Sequence, residues 1–112
     1  MKNVLLTGGL GYIGSHLAVE LSHHGYNPII LDNLSNCHHE CLDKIQDICK
    51  SKFEFVECDI LDFDKLKLVF SNFEIDSVIH LAAKKSVSES IQYPKLYFNN
   101  NVIGTENLLK II

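Results

Sequence analysis

Three glycines, each three residues apart, constrain this chain more than any other feature of its sequence. Gly8, Gly11 and Gly14 directly follow the apolar residues 4–6, and apolar side chains then recur at helical spacing over residues 12–24. In such a pattern the first glycine permits a tight turn out of a strand, the second lets the backbone approach a phosphate, and the third allows close packing of helix on strand. The motif therefore predicts a strand–turn–helix unit whose helix N-terminus binds phosphate.

Strands and helices alternate along the rest of the chain. Further strands are predicted at residues 28–32, 53–57 and 76–81, further helices at about residues 38–49, after Asp62 and from Pro94 onwards, and a polar loop at residues 82–93. Strands that alternate with amphipathic helices are typical of a parallel sheet with right-handed crossovers. The predicted fold class is α/β, a partial doubly wound parallel sheet of Rossmann type with strand order 3-2-1-4, in one domain over residues 1–112.

An acidic residue ends the second predicted strand. Asp32 lies eighteen residues past Gly14, where a carboxylate can accept hydrogen bonds from both hydroxyls of an adenosine ribose. It would also repel the 2′-phosphate of NADP, so the pattern favours NAD. The alternative is a glycine-rich turn without a ligand, which the strand and helix on either side of the motif make less attractive.

Two more segments reach the same edge of the predicted sheet. Asp59 and Ile60 follow the third strand, and residues 81–83 follow the fourth. Ligands of open α/β sheets bind at this carboxyl-terminal edge. Asp59 could accept a hydrogen bond from an adenine amino group, while its role as a solvated loop acid stays equally open.

Composition excludes several function classes. The formal net charge is −4 and all ten basic residues are lysine, so nucleic-acid binding has no electrostatic footprint, and phosphate must be held by backbone amides, helix ends or lysine. No signal peptide or long apolar segment is present, which predicts a cytoplasmic protein with free thiols and no membrane partner.

Histidines and cysteines offer weaker alternatives. Cys37, His38, His39 and Cys41 are soft ligands close together, but zinc needs four ligands in tetrahedral order and no second cluster faces them. We therefore predict no metal site. His80, at the end of a buried strand, is interpreted as a hydrogen-bonded core histidine.

Four segments together resemble the UDP-glucose 4-epimerases, which are extended short-chain dehydrogenases/reductases. These segments are residues 7–16 (TGGLGYIGSH), 32–36 (DNLSN), 79–90 (IHLAAKKSVSES) and 100–105 (NNVIGT). The resemblance covers nearly all of this chain but only about the first third of such an enzyme. It implies the NAD-binding portion of an enzyme that interconverts UDP-glucose and UDP-galactose in galactose metabolism.

The resemblance also implies a set of cofactor-binding residues. They are Gly8, Gly11, Tyr12, Ile13, Gly14, Asp32, Asn33, Asn36, Asp59, Ile60, Leu81, Ala82, Ala83, Lys85 and Asn100. Ala83 stands where the family usually has glycine, so it adds a methyl group beside the expected cofactor contact.

The same family carries out its chemistry with a tyrosine followed four residues later by a lysine. The four tyrosines here are followed at that spacing by His16, Ile30, Tyr97 and Asn101, so no catalytic residue is assigned. We expect the isolated chain to be inactive and a UDP-sugar to be a partner only of a full-length parent. Another sugar-nucleotide epimerase or dehydratase, and a non-catalytic dinucleotide-binding module, are the alternatives.

The fourth strand is expected to lie at an open edge of the sheet. Its residues Val78 and Ile79 are apolar and carry no charge or proline that would discourage pairing. We therefore expect low stability, with either a homodimer formed through this edge or poor solubility.

Overall fold

The computed structural model of the protein describes residues 1–35 and 38–112. Its four strands are β1 (Asn3–Thr7), β2 (Asn27–Asp32), β3 (Glu54–Glu57) and β4 (Ser77–His80). They form one parallel sheet in the order β3-β2-β1-β4. The predicted fold class and strand order are confirmed.

Six α-helices and one π-helical segment accompany the strands in the described residues. They are α1 (Tyr12–His23), α2 (Glu40–Cys49), α3 (Phe63–Asn72), α4 (Val87–Gln92), α5 (Pro94–Phe98), the π segment (Asn99–Ile103) and α6 (Gly104–Ile111). Helix α1 ends as predicted at Gly25, which has a φ of 84°. The amides of Gly25 and Tyr26 donate to the carbonyls of Ser22 and Leu21, which is the Schellman arrangement.

In the C-terminal part of the chain one prediction was wrong, and a second, the long helix through Ile111, is confirmed except for one π turn. The predicted polar loop at residues 82–93 contains α4, because the Ser86 hydroxyl caps it by accepting from the Glu89 amide at 3.3 Å. The single long helix predicted from Pro94 is interrupted by the π segment. Pro94 itself does begin α5, as predicted.

Apolar side chains cover both faces of the sheet, because neighbouring residues of a strand point to opposite sides. Leu6 and Ile30 pack with residues of α1 and α2 on one face, and Leu5 and Ile29 pack with α3 and α6 on the other. All four side chains are completely buried. The covered sheet leaves its carboxyl-terminal edge as the place where loops from several strands can meet.

Candidate functional site

A cavity of about 340 Å³ opens at the carboxyl-terminal edge of the sheet. Its walls come from the glycine turn after β1 and from the segments that follow β2, β3 and β4. Of the residues predicted from the sequence, the following line it: Gly8, Gly11, Asp32, Asn33, Ile60, Leu81, Ala82, Ala83, Lys85 and Asn100. Leu31, Ser35, Cys58, Lys84 and Ser86 also line it and were not predicted.

The other predicted residues lie elsewhere. Tyr12 and Ile13 form the first turn of α1, are 82% and 57% exposed and do not line the cavity. Gly14 is buried at the contact between α1 and the turn. Asp59 lies beside the cavity without lining it, and Asn36 lies outside the described residues.

The glycine turn brings α1 close to β1 and to the segment after β4. Gly8 has a φ of 68°, and a Cβ there would lie 2.8 Å from the backbone nitrogen of Ala82. A Cβ on Gly14 would lie 2.3 Å from the Gly8 carbonyl oxygen. Both positions therefore require glycine, one for its conformation and the segment against it, the other for helix packing.

Among the described residues, no side chain caps the N-terminus of α1. Gly11 is the N-cap residue and supplies no side-chain acceptor, and the first turn contains no acidic residue. The first amides of a helix have no partner within the helix and carry its positive dipole end. Because Gly11 lines the cavity, this start of α1 is suited to an anionic group there.

Asp32 links two loops at the cavity wall. One carboxylate oxygen accepts from the Leu10 amide at 3.1 Å and the other from the Leu34 amide at 2.9 Å, and the residue is 8% exposed. Each carboxylate oxygen can accept a second hydrogen bond, so two acceptor positions are left for a ligand. Leu34, whose amide makes one of these bonds, has a φ of 61°, an uncommon conformation for a residue other than glycine.

Asn33 and Asp59 meet at one side of the cavity. The Asn33 side-chain amide donates to Asp59 at 3.3 Å, and the other oxygen of Asp59 accepts from the Leu61 amide at 2.9 Å. The neighbouring Ile60 is fixed by α6, because the buried side chain of Asn107 donates to the Ile60 carbonyl at 2.9 Å. These hydrogen bonds connect the segment after β3 to the segment after β2 and to α6.

Cys58 forms an apolar part of the wall. Burial raises the pKa of its thiol to about 11, with Lys65 acting in the opposite direction and Asp62 and Asp59 raising it further. The thiol is therefore neutral at physiological pH and is a poor nucleophile or metal ligand. Among residues 1–35 and 38–112, no group of three or more His, Cys, Asp or Glu residues is arranged to hold a metal ion.

The π segment packs against the loop that follows β4 and adds one residue to the cavity wall. Asn100 is buried and lines the cavity. The side chain of its neighbour Asn101 accepts from the Lys84 amide and donates to the Lys84 carbonyl, both at 2.9 Å. Asn100 in turn donates to Asn101 at 2.9 Å. Single π turns inside helices are frequent at functional sites, and here one presents two adjacent asparagines to the same loop.

His80 joins β1, β4 and α6 behind this wall. Its Nδ1 contacts the hydroxyl of the fully buried Thr7, and its Nε2 lies 2.9 Å from the hydroxyl of Thr105. Burial lowers the pKa of His80 below its usual value of 6.5. Sequence reasoning assigned no site role to Thr7, Asn101 or Thr105, because their partners are up to seventy-five positions away.

A doubly wound sheet with a cavity at its carboxyl edge defines this chain as a Rossmann-type α/β protein. The sequence model of a family described as GDP-mannose 4,6 dehydratase matches residues 5–112. The chain belongs to this family.

Its relatives include several UDP-glucose 4-epimerases. The enzyme from Yersinia enterocolitica is 49% identical over 108 residues, which are 96% of this chain and 32% of that protein. The enzyme from Bacillus subtilis is 46% identical over 102 residues, which are 91% of this chain and 30% of that protein. This chain therefore spans about a third of the length of these relatives.

Solved structures agree with the sequence relatives. A UDP-glucose 4-epimerase from Stenotrophomonas maltophila, with bound NAD and formylated UDP-arabinopyranose, matches 99% of this chain and 33% of its own with a TM-score of 0.95 at 40% identity. The enzyme from Bifidobacterium longum, in complex with NAD+ and UDP, matches 98% of this chain and 33% of its own with a TM-score of 0.95 at 36% identity.

Proposed function

We propose that this chain is the NAD-binding portion of a UDP-glucose 4-epimerase. The observation that carries the proposal is the pairing of an unsatisfied helix start with a buried acid at one cavity. The α1 amides suit the pyrophosphate, and the two remaining acceptor positions of Asp32 suit the adenosine ribose hydroxyls. A volume of about 340 Å³ falls within the range of small-molecule sites.

The remaining predicted residues have roles that follow from their places. Ile60 and Asp59, with Asn33 beside them, would flank the adenine, while Leu81, Ala82 and Ala83 would lie along the cofactor. Lys85 and Asn100 line the same cavity, where Lys85 adds positive charge. Bound NAD would supply a hydride acceptor and donor, and these residues would bind it and fix its orientation.

We propose that the 112-residue chain does not epimerise UDP-sugars by itself. A general base must lie within hydrogen-bond reach of the substrate proton, and no tyrosine here has a lysine four residues later. An assay of the purified chain for interconversion of UDP-glucose and UDP-galactose should give no turnover above background. Measurable turnover would overturn this part of the proposal.

The family description favours one second candidate, a sugar-nucleotide dehydratase. Sequence identities of 46–49% to UDP-glucose 4-epimerases favour the first candidate, the epimerase. Both candidates share the NAD site proposed here.

Self-association through the edge of β4 is a separate proposal. Among the described residues β4 pairs only with β1, and its side chains are only partly buried. Phe98, Val102 and Leu109 add exposed apolar surface on the last helical run. Light scattering during gel filtration should show dimers or larger species, and a monodisperse monomer would contradict this proposal.

Every helix in the described part of the chain falls short of the length and apolar content needed to cross a membrane. The cytoplasmic location stays a prediction.

Calorimetric titration with NAD+ and NADP+ tests the cofactor site. Asp32→Asn keeps the size of the side chain and one backbone acceptor but removes the charge. Loss of charge-assisted ribose bonds should weaken NAD+ binding by about 1.5–3 kcal/mol. It should also reduce the preference of the site for NAD+ over NADP+. Asp47→Asn is the matched control, because it makes the same charge change on the exposed part of α2, outside the cavity. Equal NAD+ affinity in all three proteins would overturn the assignment of Asp32.

A further inference from the structure

The hydrogen bonds around His80 determine where its proton lies. Thr105 donates its only hydroxyl proton to the Asn101 carbonyl at 2.7 Å. Its oxygen can therefore act only as an acceptor towards His80 Nε2, which lies 2.9 Å away. Nε2 must carry the proton, and in a neutral ring Nδ1 is then an acceptor.

The same reasoning fixes the hydroxyl of Thr7. Since Nδ1 accepts, Thr7 donates to it. The lone pairs of the Thr7 oxygen then face the backbone amides of Leu81 and Ala82 at 3.1 and 3.3 Å. The Leu81 amide is shared with the Thr7 carbonyl, to which it donates at 3.0 Å, whereas the Ala82 amide donates to the hydroxyl. Every donor and acceptor in this chain of groups has a partner, and no buried side-chain polar atom of the described residues is left without one.

We infer that His80, as the neutral Nε2–H tautomer, is a positioning residue for the cavity wall formed by Leu81 and Ala82. The inference rests on the proposed function only in that this wall is taken to be the one that contacts NAD. His80 orients the Thr7 hydroxyl, and the oriented hydroxyl holds the Ala82 amide and shares the Leu81 amide with the Thr7 carbonyl. Through Thr105 the wall is also fixed to α6.

The position of this wall matters because it lies in direct contact with the glycine turn. The backbone nitrogen of Ala82 would lie 2.8 Å from a Cβ on Gly8, so the segment after β4 packs directly against the glycine turn. Leu81, Ala82 and Gly8 all line the cavity. A change in the Thr7–His80 hydrogen bond would therefore change the width of the cavity beside the proposed pyrophosphate position.

The groups that face His80 from the neighbouring elements are uncharged. They are the Thr7 hydroxyl from β1 and the Thr105 hydroxyl from α6. A protonated ring would present a second donor to Thr7, whose two lone pairs already accept from Leu81 and Ala82. The network is thus complete only with a neutral ring.

Nitrogen-15 NMR of the imidazole ring tests the inference on the unmodified chain. At pH 7.5, His80 should show a protonated Nε2 and an unprotonated Nδ1. A protonated Nδ1, or a mixture of both tautomers, would overturn the inference.

A pair of Thr105 variants tests the positioning role. Thr105→Val keeps the shape but removes the acceptor for Nε2–H, whereas Thr105→Ser keeps it. In Thr105→Val the tautomer preference should be lost, the Ala82 amide should exchange with solvent about tenfold faster, and NAD+ should bind about fivefold more weakly, as expected for losing one hydrogen bond. Thr105→Ser should match the unmodified chain in all three measurements.

The results separate this inference from the proposed function. Altered amide exchange and tautomer in Thr105→Val, with no NAD+ binding by any protein, would overturn the proposed function alone. Normal NAD+ binding that depends on Asp32, with an unchanged tautomer and exchange rate in Thr105→Val, would overturn the positioning role alone.

Discussion

Helices α1 and α3 both begin near the carboxyl-terminal edge of the sheet, yet their first turns differ. At α3, Asp62 caps the helix by accepting from the Lys65 amide at 3.2 Å, and Asp64 adds a second acid to the first turn. At α1, Gly11 provides no side-chain cap, and the first turn contains no acidic residue. Within the described residues, a side chain caps the start of α3 and none caps the start of α1 beside the cavity. The difference supports the proposal that the start of α1 binds an anionic ligand group, while the cap of α3 stabilises its helix.

The largest expected effect comes from removing the close packing that places α1. In Gly14→Ala the new Cβ would lie 2.3 Å from the Gly8 carbonyl oxygen, which rigid backbone cannot relieve. We expect the free energy of unfolding to fall by about 3 kcal/mol or more, as in severe overpacking. Chemical denaturation followed by circular dichroism measures it.

Gly25→Ala is the control for this first prediction. Gly25 has a φ of 84°, but nothing lies within 4 Å of the position a Cβ would take. Its cost should be only the conformational one of about 1 kcal/mol. Equal losses of unfolding free energy in Gly14→Ala and Gly25→Ala would contradict the predicted effect of close packing at the start of α1.

A second change would make α1 resemble α3. Gly11 has an extended conformation, with φ −67° and ψ 175°, which other residues adopt readily. Gly11→Asp would supply both a cap and a negative charge, and Gly11→Asn would supply a cap of the same size without the charge. NAD+ should bind to the Asp variant about tenfold more weakly than to the Asn variant, which is about 1.4 kcal/mol.

Salt provides the check on that second prediction. The repulsion between Asp and the pyrophosphate is partly screened at high ionic strength, so the tenfold gap should narrow in 1 M salt while the thermal stabilities of the two variants stay close. Equal affinities at low salt would argue against a pyrophosphate at the start of α1.

The smallest expected effect concerns α3. Asp62→Ala should lower the free energy of unfolding by about 1 kcal/mol through loss of the cap and should leave NAD+ affinity unchanged, because Asp62 does not line the cavity. Asp64→Ala, which removes an acid that makes no capping bond, should cost less. A clear loss of NAD+ affinity in Asp62→Ala would contradict this prediction, because it would show that the start of α3 also affects NAD+ binding.

The sequence predicted the parts of this molecule that depend on local periodicity and spacing. The apolar runs gave the strands, the alternation with helices gave the order 3-2-1-4, and Gly25, Asp62 and Pro94 marked helix boundaries correctly. The observed bounds differ from the predicted ones by one or two residues, since helix and strand ends depend on tertiary contacts.

What the sequence did not predict falls into two kinds. Helix α4 had a readable signal, because Ser86 followed three residues later by Glu89 matches the capping-box pattern. The π segment and the Thr7–His80–Thr105 hydrogen bonds had none, because they arise only once residues distant in the chain are brought together. Asp32 was assigned to a ribose on its position alone, and its bonds to the Leu10 and Leu34 amides show a structural task as well.

The last helical run is fastened to the rest of the molecule at three levels. Asn101 binds the backbone of Lys84, Thr105 binds His80, and Asn107 binds the carbonyl of Ile60. Asn101 lies one turn before Thr105, and Asn107 lies half a turn after it, so these bonds reach both Lys84 and Ile60 in the wall of the cavity. A rotation of this helical run about its own axis would consequently displace Lys84 and Ile60 together and change the width of the cavity.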